Sequence, residues 1–387
     1  MKNIQMLNKI AKVGTDLLDP AVYNLGTEMD DPDGILVRSA VMHDMTFGAN
    51  LKAIARAGAG VNNIPIDKCT EEGIVVFNTP GANANGVKEL TICALLLAAR
   101  DVVGGISWAQ TLAGGTDVAK AVEKGKSQFA GIELQGKTLG VIGLGAIGGL
   151  VANVAVDLGM NVIGCDPFLS VEGAWNLDKQ IHKAATYEEI YEKADFITLH
   201  VPATKDTKGM INASTIAQMR DGVRLLNLSR SDLVNMADLK MALESGKMAA
   251  YVTDFPTEDI LGVKGVVAIP HLGASTEESE DNCAVMAALE LDNYLRYGNI
   301  KNSVNFPNVD MPMSTSVRVC VLHANVPAIL SQITGVLSAE GINIENLTNK
   351  SKGNNAYTVL DISAKPDGAA IAKLEAVSGI YRVRVIQ

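Results

Sequence analysis

The chain has 387 residues, 48% hydrophobic and 20% charged, enough to bury more than one core, so two or three domains are expected. Aromatics make up only 4%, which leaves Val, Ile, Leu and Ala to fill those cores and suits α/β architecture. A net charge of −10 argues against nucleic acid or an anionic membrane as a partner, so an anionic substrate has to be met by local Arg or Lys. Five scattered cysteines, with no C-x-x-C pair, indicate neither a disulfide framework nor a metal site. The longest apolar run, 90–99, is too short to span a bilayer, and the first residues lead into no signal core; a cytoplasmic protein is expected.

Short apolar runs at 35–38, 51–54 and 74–77 read as strands separated by helical stretches, a βα repetition that implies a parallel sheet. An apolar helix is expected at 90–100. The glycine-rich stretch around Gly104, Gly105, Gly114 and Gly115 has no clear period. A second βα series then opens with a strand at 139–142 and a helix running to 158. Its further strands are expected at 162–165, 196–200, 223–228, 249–252 and 266–269. A long helix at 276–297 carries the chain back to the first domain, which makes that domain discontinuous. After a proline-marked linker, strands at 317–322, 342–348, 357–362 and 381–386 alternate with helices at 327–340 and 369–377, a ferredoxin-like βαββαβ unit. The expected fold class is therefore α/β, with two doubly wound Rossmann-like domains and a ferredoxin-like C-terminal domain.

Gly143-Leu144-Gly145-Ala146-Ile147-Gly148 is a G-x-G-x-x-G fingerprint, and a glycine turn serving only strand–helix packing is the competing reading. Context favours a dinucleotide: a strand precedes it, a helix follows, and Asp166 ends the next strand. Gly143 permits the tight turn, Gly145 lets backbone approach a pyrophosphate, and Gly148 brings helix against sheet. The helix N-terminus then favours the negative charge. Asp166 accepts hydrogen bonds from ribose hydroxyls and repels a 2′-phosphate, so NAD is expected rather than NADP. Arg230, Glu258 and His271 follow three successive strands, at the ends where doubly wound sheets place ligands.

These motifs, in order, resemble the D-2-hydroxyacid dehydrogenase family over nearly the whole chain. The early Val37-Arg38-Ser39-Ala40, Arg56-Ala57-Gly58-Ala59-Gly60-Val61 and Asn78-Thr79-Pro80 resemble its phosphoglycerate-oxidising branch. The resemblance implies oxidation of D-3-phosphoglycerate to 3-phosphohydroxypyruvate with NAD, the opening step of L-serine synthesis. His271 is then the base for the hydroxyl proton, since imidazoles titrate near working pH. Glu258 orients the ring, and Arg230 holds the substrate carboxylate and polarises the carbonyl. Arg38, Ser39, Arg56 and Gly58 join Arg230 in binding substrate; solvated strand-end arginines are the plainer alternative. His200, Val201, Pro202, Leu228, Ser229, Thr253, Asp254 and Gly273 complete the expected cofactor contacts, with Ala146, Ile147, Arg230 and His271. The pair Thr253-Asp254 departs from the family's Asp-Val, which displaces the Asp or passes its role to Thr253.

The implied domains are a substrate-binding domain at 1–90 and 280–306, an NAD-binding domain at 91–279, a linker at 307–315 and a C-terminal domain at 316–387 resembling ACT regulatory domains. In that last domain the resemblance implies L-serine as an effector, bound by His323, Asn325 and Asn343 between two copies. Ala328 stands where the family has Gly. A homodimer or homotetramer built through the nucleotide and ACT domains follows. An assembly-only C-terminal domain, a different 2-hydroxyacid as substrate, and a non-enzymatic NAD(H)-sensing protein remain alternatives.

Overall fold

The computed structural model describes residues 1–314 and 317–387, so the expected linker end at 315 and domain start at 316 lie outside the described residues. The chain divides into two units, Met1–Asn83 with Glu280–Gln387, and Ala84–Ser279.

The first unit begins with β1 (Lys2–Met6), α1 (Lys12–Thr15), β2 (Tyr23–Gly26), β3 (Gly34–Val37), β4 (Ala53–Arg56), α2 (Ile66–Glu71) and β5 (Val75–Phe77). These strands form a fully parallel sheet in the order β2-β1-β3-β4-β5. β1 and β2 lie in a stretch where no strand was expected. β4 starts at Ala53 because Lys52 belongs to the preceding turn, its Nζ reaching Asp33 Oδ1 at 2.7 Å and Asn50 Oδ1 at 2.7 Å.

The second unit holds α3 (Ala84–Ala99), α4 (Val102–Gln110), α5 (Val118–Gly125), β6 (Thr138–Ile142), α6 (Gly148–Asp157), β7 (Asn161–Cys165), α7 (Val171–Trp175) and β8 (His182–Lys183). It continues through α8 (Tyr187–Lys193), β9 (Phe196–Leu199), α9 (Ala213–Gln218), β10 (Val223–Asn227), α10 (Met236–Glu244), β11 (Met248–Thr253) and β12 (Val266–Ala268). All pairings are parallel, in the order β12-β11-β10-β9-β6-β7-β8. The connections reverse direction between β6 and β9, and the crevice outside strand ends at such a switch point is where open α/β sheets take ligands.

The expected boundary between 90 and 91 falls inside α3, whose Ala94, Leu95 and Ala98 pack in one core with Leu139, Val141 and Val151. The glycine-rich stretch forms α4 because Asp101 Oδ1 accepts from Gly104 N at 2.9 Å, and because Trp108 packs on Phe129 with ring centroids 5.4 Å apart. Neither α4 nor α5 buries a residue. Among the described residues no single helix is long and apolar enough to cross a membrane.

α11 (Glu277–Tyr297) carries the chain back into the first unit, followed by β13 (Val317–Ala324), α12 (Ile329–Ala339), β14 (Ile344–Lys352), β15 (Asn355–Ile362), α13 (Gly368–Glu375) and β16 (Ile380–Ile386). This βαββαβ run makes an antiparallel sheet in the order β14-β15-β13-β16. One face, with Val319, Val321 and Leu360, packs on Ile333, Leu337 and Leu374 of the two helices. The other face, with Cys320, Leu322 and Tyr357, shares a core with Ile4, Leu36 and Tyr294.

That shared core is stitched to the end of α11, whose last carbonyls have no partners within the helix. Arg318 Nη1 donates to Tyr297 O at 2.7 Å, Arg384 Nη2 to Leu295 O at 3.2 Å, and Tyr357 Oη to Gly298 O at 2.6 Å. Gly298 has φ +73°, and a Cβ there would lie 2.5 Å from Cys320 Sγ, so sheet and helix end meet only because that residue is glycine. Arg318 also grips Asp361 twice, Nε to Oδ1 at 2.6 Å and Nη2 to Oδ2 at 3.0 Å, with both side chains fully buried. Burial pushes the Asp361 carboxyl up, but Arg318 and Ser314 outweigh it and hold it below its ordinary value. Removing one partner strands a buried charge, so Asp361→Asn is expected to cost about 3–5 kcal/mol. Urea unfolding checks this, and a midpoint within error of the wild type would mean that water replaces the lost carboxylate.

Candidate active site

The nucleotide loop is built at the switch point. Gly143 follows β6 with φ +91°, its N–H donates to Cys165 O at 2.9 Å, and a Cβ on it would lie 2.5 Å from His200 O. A Cβ on Gly148 would meet Gly143 O at 1.9 Å, whereas one on Gly145 would meet nothing within 4 Å. The chain's own packing thus demands two of these glycines. Gly145 instead faces open space beside the N-terminus of α6, the cradle that a pyrophosphate fits. Ala146 and Ile147 complete the turn, Ile147 as the N-cap of α6.

Asp166 Oδ2 accepts from Leu144 N, and Oδ1 from Phe168 N, both at 2.9 Å. The carboxylate expected to read the ribose therefore also braces the glycine loop, and each oxygen keeps a further lone pair. His200, after β9, bonds Thr198 Oγ1 through Nε2 at 3.0 Å, while its Nδ1 is buried without a partner. Burial pushes its pKa down to about 4, so the ring is neutral at working pH. Val201 packs beside Gly143, and Pro202 O accepts from Thr207 Oγ1 at 2.5 Å.

Asn227 organises the end of β10. Its Oδ1 accepts from Ser229 N at 3.2 Å and Arg230 N at 3.3 Å, and its Nδ2 donates to Arg230 O at 2.8 Å. Leu228 is buried in the adjacent core, and Ser229 Oγ ties the turn to Leu199 O at 2.6 Å. The clamp presents Arg230 at the surface, Nη1 on Ser229 O at 2.6 Å. Asn227 was not singled out from sequence, although a polar residue closing an apolar strand was the available signal.

At the end of β11, Thr253 turns inward, with Oγ1 donating to Asn227 O at 2.8 Å and accepting from Phe255 N at 3.1 Å. Asp254 is 1% exposed, and its Oδ1 has no partner. Burial raises its pKa; the charge of His271, the Gly273 N–H and the charge of Arg230 pull the other way. The structure thus brings Arg230, Asp254, His271 and Gly273 together. His271 is exposed and packs on Phe255, ring centroids 4.7 Å apart. Glu258 lies exposed in a turn, and among the described residues no hydrogen bond or ion pair joins it to His271. Asp254 is a carboxyl in electrostatic reach of the imidazole.

In the first unit, Asn8 Oδ1 accepts from the consecutive N–H groups of Arg38, Ser39 and Ala40 at 2.9, 3.0 and 3.0 Å, another organiser the sequence reading missed. Arg38 Nη2 pairs with Glu280 Oε1 at 2.6 Å. Arg56 Nε donates to Arg38 O at 3.0 Å and Nη1 to Gly60 O, so this guanidinium shapes its own loop. Gly58 has φ +156°, and a Cβ there would lie 2.8 Å from Arg56 Nη1.

In the C-terminal sheet, His323 is buried, Nδ1 on Ala324 O and Nε2 on Thr358 Oγ1, both at 2.8 Å. Asn325 Nδ2 donates to Gly353 O at 3.2 Å. Asn343 lies beyond the start of β14, at the opposite end of the sheet, bonded to Glu345 Oε1 at 2.8 Å. One copy therefore does not assemble the three expected effector residues. Ala328, at the N-cap of α12, has φ +64°, the left-handed conformation that explains a glycine there.

Residues 95–273 match the family described as D-isomer specific 2-hydroxyacid dehydrogenase, NAD binding domain. A relative from Saccharomyces cerevisiae is 32% identical over 339 residues, covering 81% of this chain and 69% of its own length. The chain belongs to the D-isomer-specific 2-hydroxyacid dehydrogenases, and this stretch is its NAD-binding domain. Within the family, that yeast relative is named D-3-phosphoglycerate dehydrogenase 1. Relatives named D-3-phosphoglycerate dehydrogenase include those of Methanocaldococcus jannaschii, 38% identical, and Bacillus subtilis, 36% identical, covering 73% and 76% of this chain. The chain spans about half the length of these two, 53% and 55%. An NAD+-bound 3-phosphoglycerate dehydrogenase from Entamoeba histolytica superposes with TM-score 0.62 at 28% identity, over 79% of this chain and 98% of that one.

Asp166→Ala should loosen NAD binding, through both the lost ribose acceptor and the slackened loop, and should narrow the preference over NADP. Fluorescence titration with both reduced cofactors checks this, and unchanged affinities would remove Asp166 from recognition.

Proposed function

We propose that the chain oxidises D-3-phosphoglycerate to 3-phosphohydroxypyruvate with NAD, the first step of L-serine biosynthesis. The observation that carries this reading is the meeting of Arg230, Asp254 and His271 at strand ends of a domain that opens on the nucleotide loop. The names of the relatives support the choice of substrate. When bound, NAD accepts the hydride. His271 takes the hydroxyl proton, and its exposed ring is open to substrate. Arg230 holds the carboxylate and stabilises charge on the reacting oxygen. Arg38 and Arg56, with Ser39 and Gly58, supply positive charge and loop backbone for the phosphate. The domain division expected from sequence, with substrate binding at 1–90 and 280–306, belongs to this reading.

Glu258 serves as partner of the imidazole once it approaches with substrate bound. Asp254 is the second candidate, favoured by its present reach to His271. His271→Asn should lower turnover by about 10²–10⁴-fold. Loss of the partner's negative charge should move the rate–pH profile of oxidation to lower pH, because the imidazolium loses support. Profiles of Glu258→Gln and Asp254→Asn therefore assign the role, and a profile unmoved in both would dismiss a carboxylate partner.

The C-terminal unit acts as an ACT-type regulatory domain that binds L-serine between two copies, with Asn343 of one copy beside His323 and Asn325 of the other. Support comes from the placement of these residues at opposite ends of one sheet, and from the exposed edge strand β14. His323 has to exchange a present hydrogen bond to take part. Homodimerisation is supported further by the uncovered apolar side chains of Val102, Val103, Ile106 and Val118 on α4 and α5. Calorimetry should show serine binding to the full chain and a large loss with Asn343→Ala or Asn325→Ala. Affinity equal in both variants would place the effector elsewhere.

A further inference from the structure

The first unit contains a pocket of about 780 Å³ that the reading above does not use. One wall is a face of α11, where Val285, Met286, Leu289 and Glu290 recur at helical spacing. Pro80 and Ala82 close one side, Lys301 and Asn302 another. Leu289 is 52% exposed, an apolar side chain facing the open pocket.

Within this mostly apolar wall, Glu290 is 6% exposed. Its Oε1 accepts from Asn302 Nδ2 at 2.6 Å, and its Oε2 is buried with no hydrogen-bond partner. Asn302 holds its amide there from a left-handed backbone, φ +59°, a conformation that Asn tolerates better than most residues. A side chain needed only to receive that amide requires one acceptor, and Gln supplies it without a buried acid. The second oxygen, desolvated and unmatched, is costly unless something arrives to meet it.

We propose that this pocket binds a small organic molecule carrying a protonated primary amine on an apolar body, with the ammonium on Glu290 Oε2 and the body against Val285, Met286 and Leu289. An ammonium has three donors, and the amides of Asn282 and Asn293 on the same wall offer further oxygens. Lys301 is the charged group within electrostatic reach of Glu290, and it gives a ligand carboxylate a partner. A free aliphatic amine and an apolar amino acid therefore share the recognised chemistry.

Burial pushes the Glu290 pKa up to about 8, against the opposing pull of Asn302 and Lys301. At neutral pH the carboxyl is mostly protonated, so docking an ammonium releases a proton, and affinity rises as pH approaches that value. Without ligand the sign is also set. The folded state holds this proton more tightly than the unfolded chain, so the stability it confers is full below the ordinary carboxylate range and is lost as pH rises through about 8.

Calorimetry on the full chain with isoamylamine, L-leucine and 4-methylpentanoate tests the site. Saturable binding of isoamylamine, proton release seen as a buffer-dependent heat, and no binding of 4-methylpentanoate are expected. L-Leucine binding more tightly than isoamylamine assigns the class to amino acids through Lys301, and weaker binding assigns it to simple amines. Glu290→Gln should reduce isoamylamine affinity about tenfold or more, the loss of a charge-assisted hydrogen bond. If that variant does not fold, Met286→Ala on the partly exposed wall should weaken isoamylamine and leave methylamine unchanged. No saturable binding of either amine, equal binding by Glu290→Gln, or equal loss of both amines with Met286→Ala would overturn the proposal. None of these outcomes depends on turnover, so the oxidation of phosphoglycerate stands or falls separately.

Discussion

The site in the second unit depends on one close approach of backbone to backbone. Where Gly143 leaves β6, a Cβ would sit 2.5 Å from the carbonyl oxygen of His200, which leaves β9. Those strands are neighbours in the sheet, and the connections diverge from them in opposite directions. Only a residue without a side chain, at φ +91°, lets both strand ends open together and leaves space beside the N-terminus of α6. Asp166 then locks the loop, its Oδ2 accepting from Leu144 N, and so keeps the cradle in shape.

Around that opening, ordinary polar side chains do the positioning. Asn227 holds both ends of the turn that presents Arg230, and Thr253 ties the next strand to Asn227 O, so two strand ends are fastened edge to edge. Thr253 pointing inward leaves the following residue to face the site, which puts Asp254 near His271 and Arg230. Burial raises the pKa of this carboxyl, and the nearby charges of His271 and Arg230 oppose the rise.

The C-terminal sheet is bound into the first unit by the polarity of a helix end. α11 leaves carbonyls exposed at Leu295 and Tyr297, and buried arginines from β13 and β16 answer them. Apolar side chains on the same sheet face complete the contact, Tyr357 and Leu322 with Tyr294. The other sheet face belongs to its own helices, so this sheet has no free face, and its edges are the strands β14 and β16.

What the sequence determined by itself was local or periodic. Strands β6, β7 and β9 to β12, the glycine loop, Asp166 at the next strand end and the βαββαβ tail were legible because side-chain periodicity and glycine placement act over a few residues. β1, β2 and the helices at Val102–Gln110 and Val118–Gly125 were not, since their patterns are weak and their stability comes from sheet pairing, a cap at Asp101 and the Trp108–Phe129 contact. Tertiary structure alone decided that Asp254 is buried within electrostatic reach of His271, because a one-residue shift along β11 reverses which side chain faces inward, and no local rule reports that shift. It also decided that Asn8 organises a loop distant from it in sequence, that Arg318 and Arg384 cap α11, and that Glu290 keeps an unmatched oxygen. Each turns on which polar groups find partners, and those partners exist only once the chain has brought distant segments together.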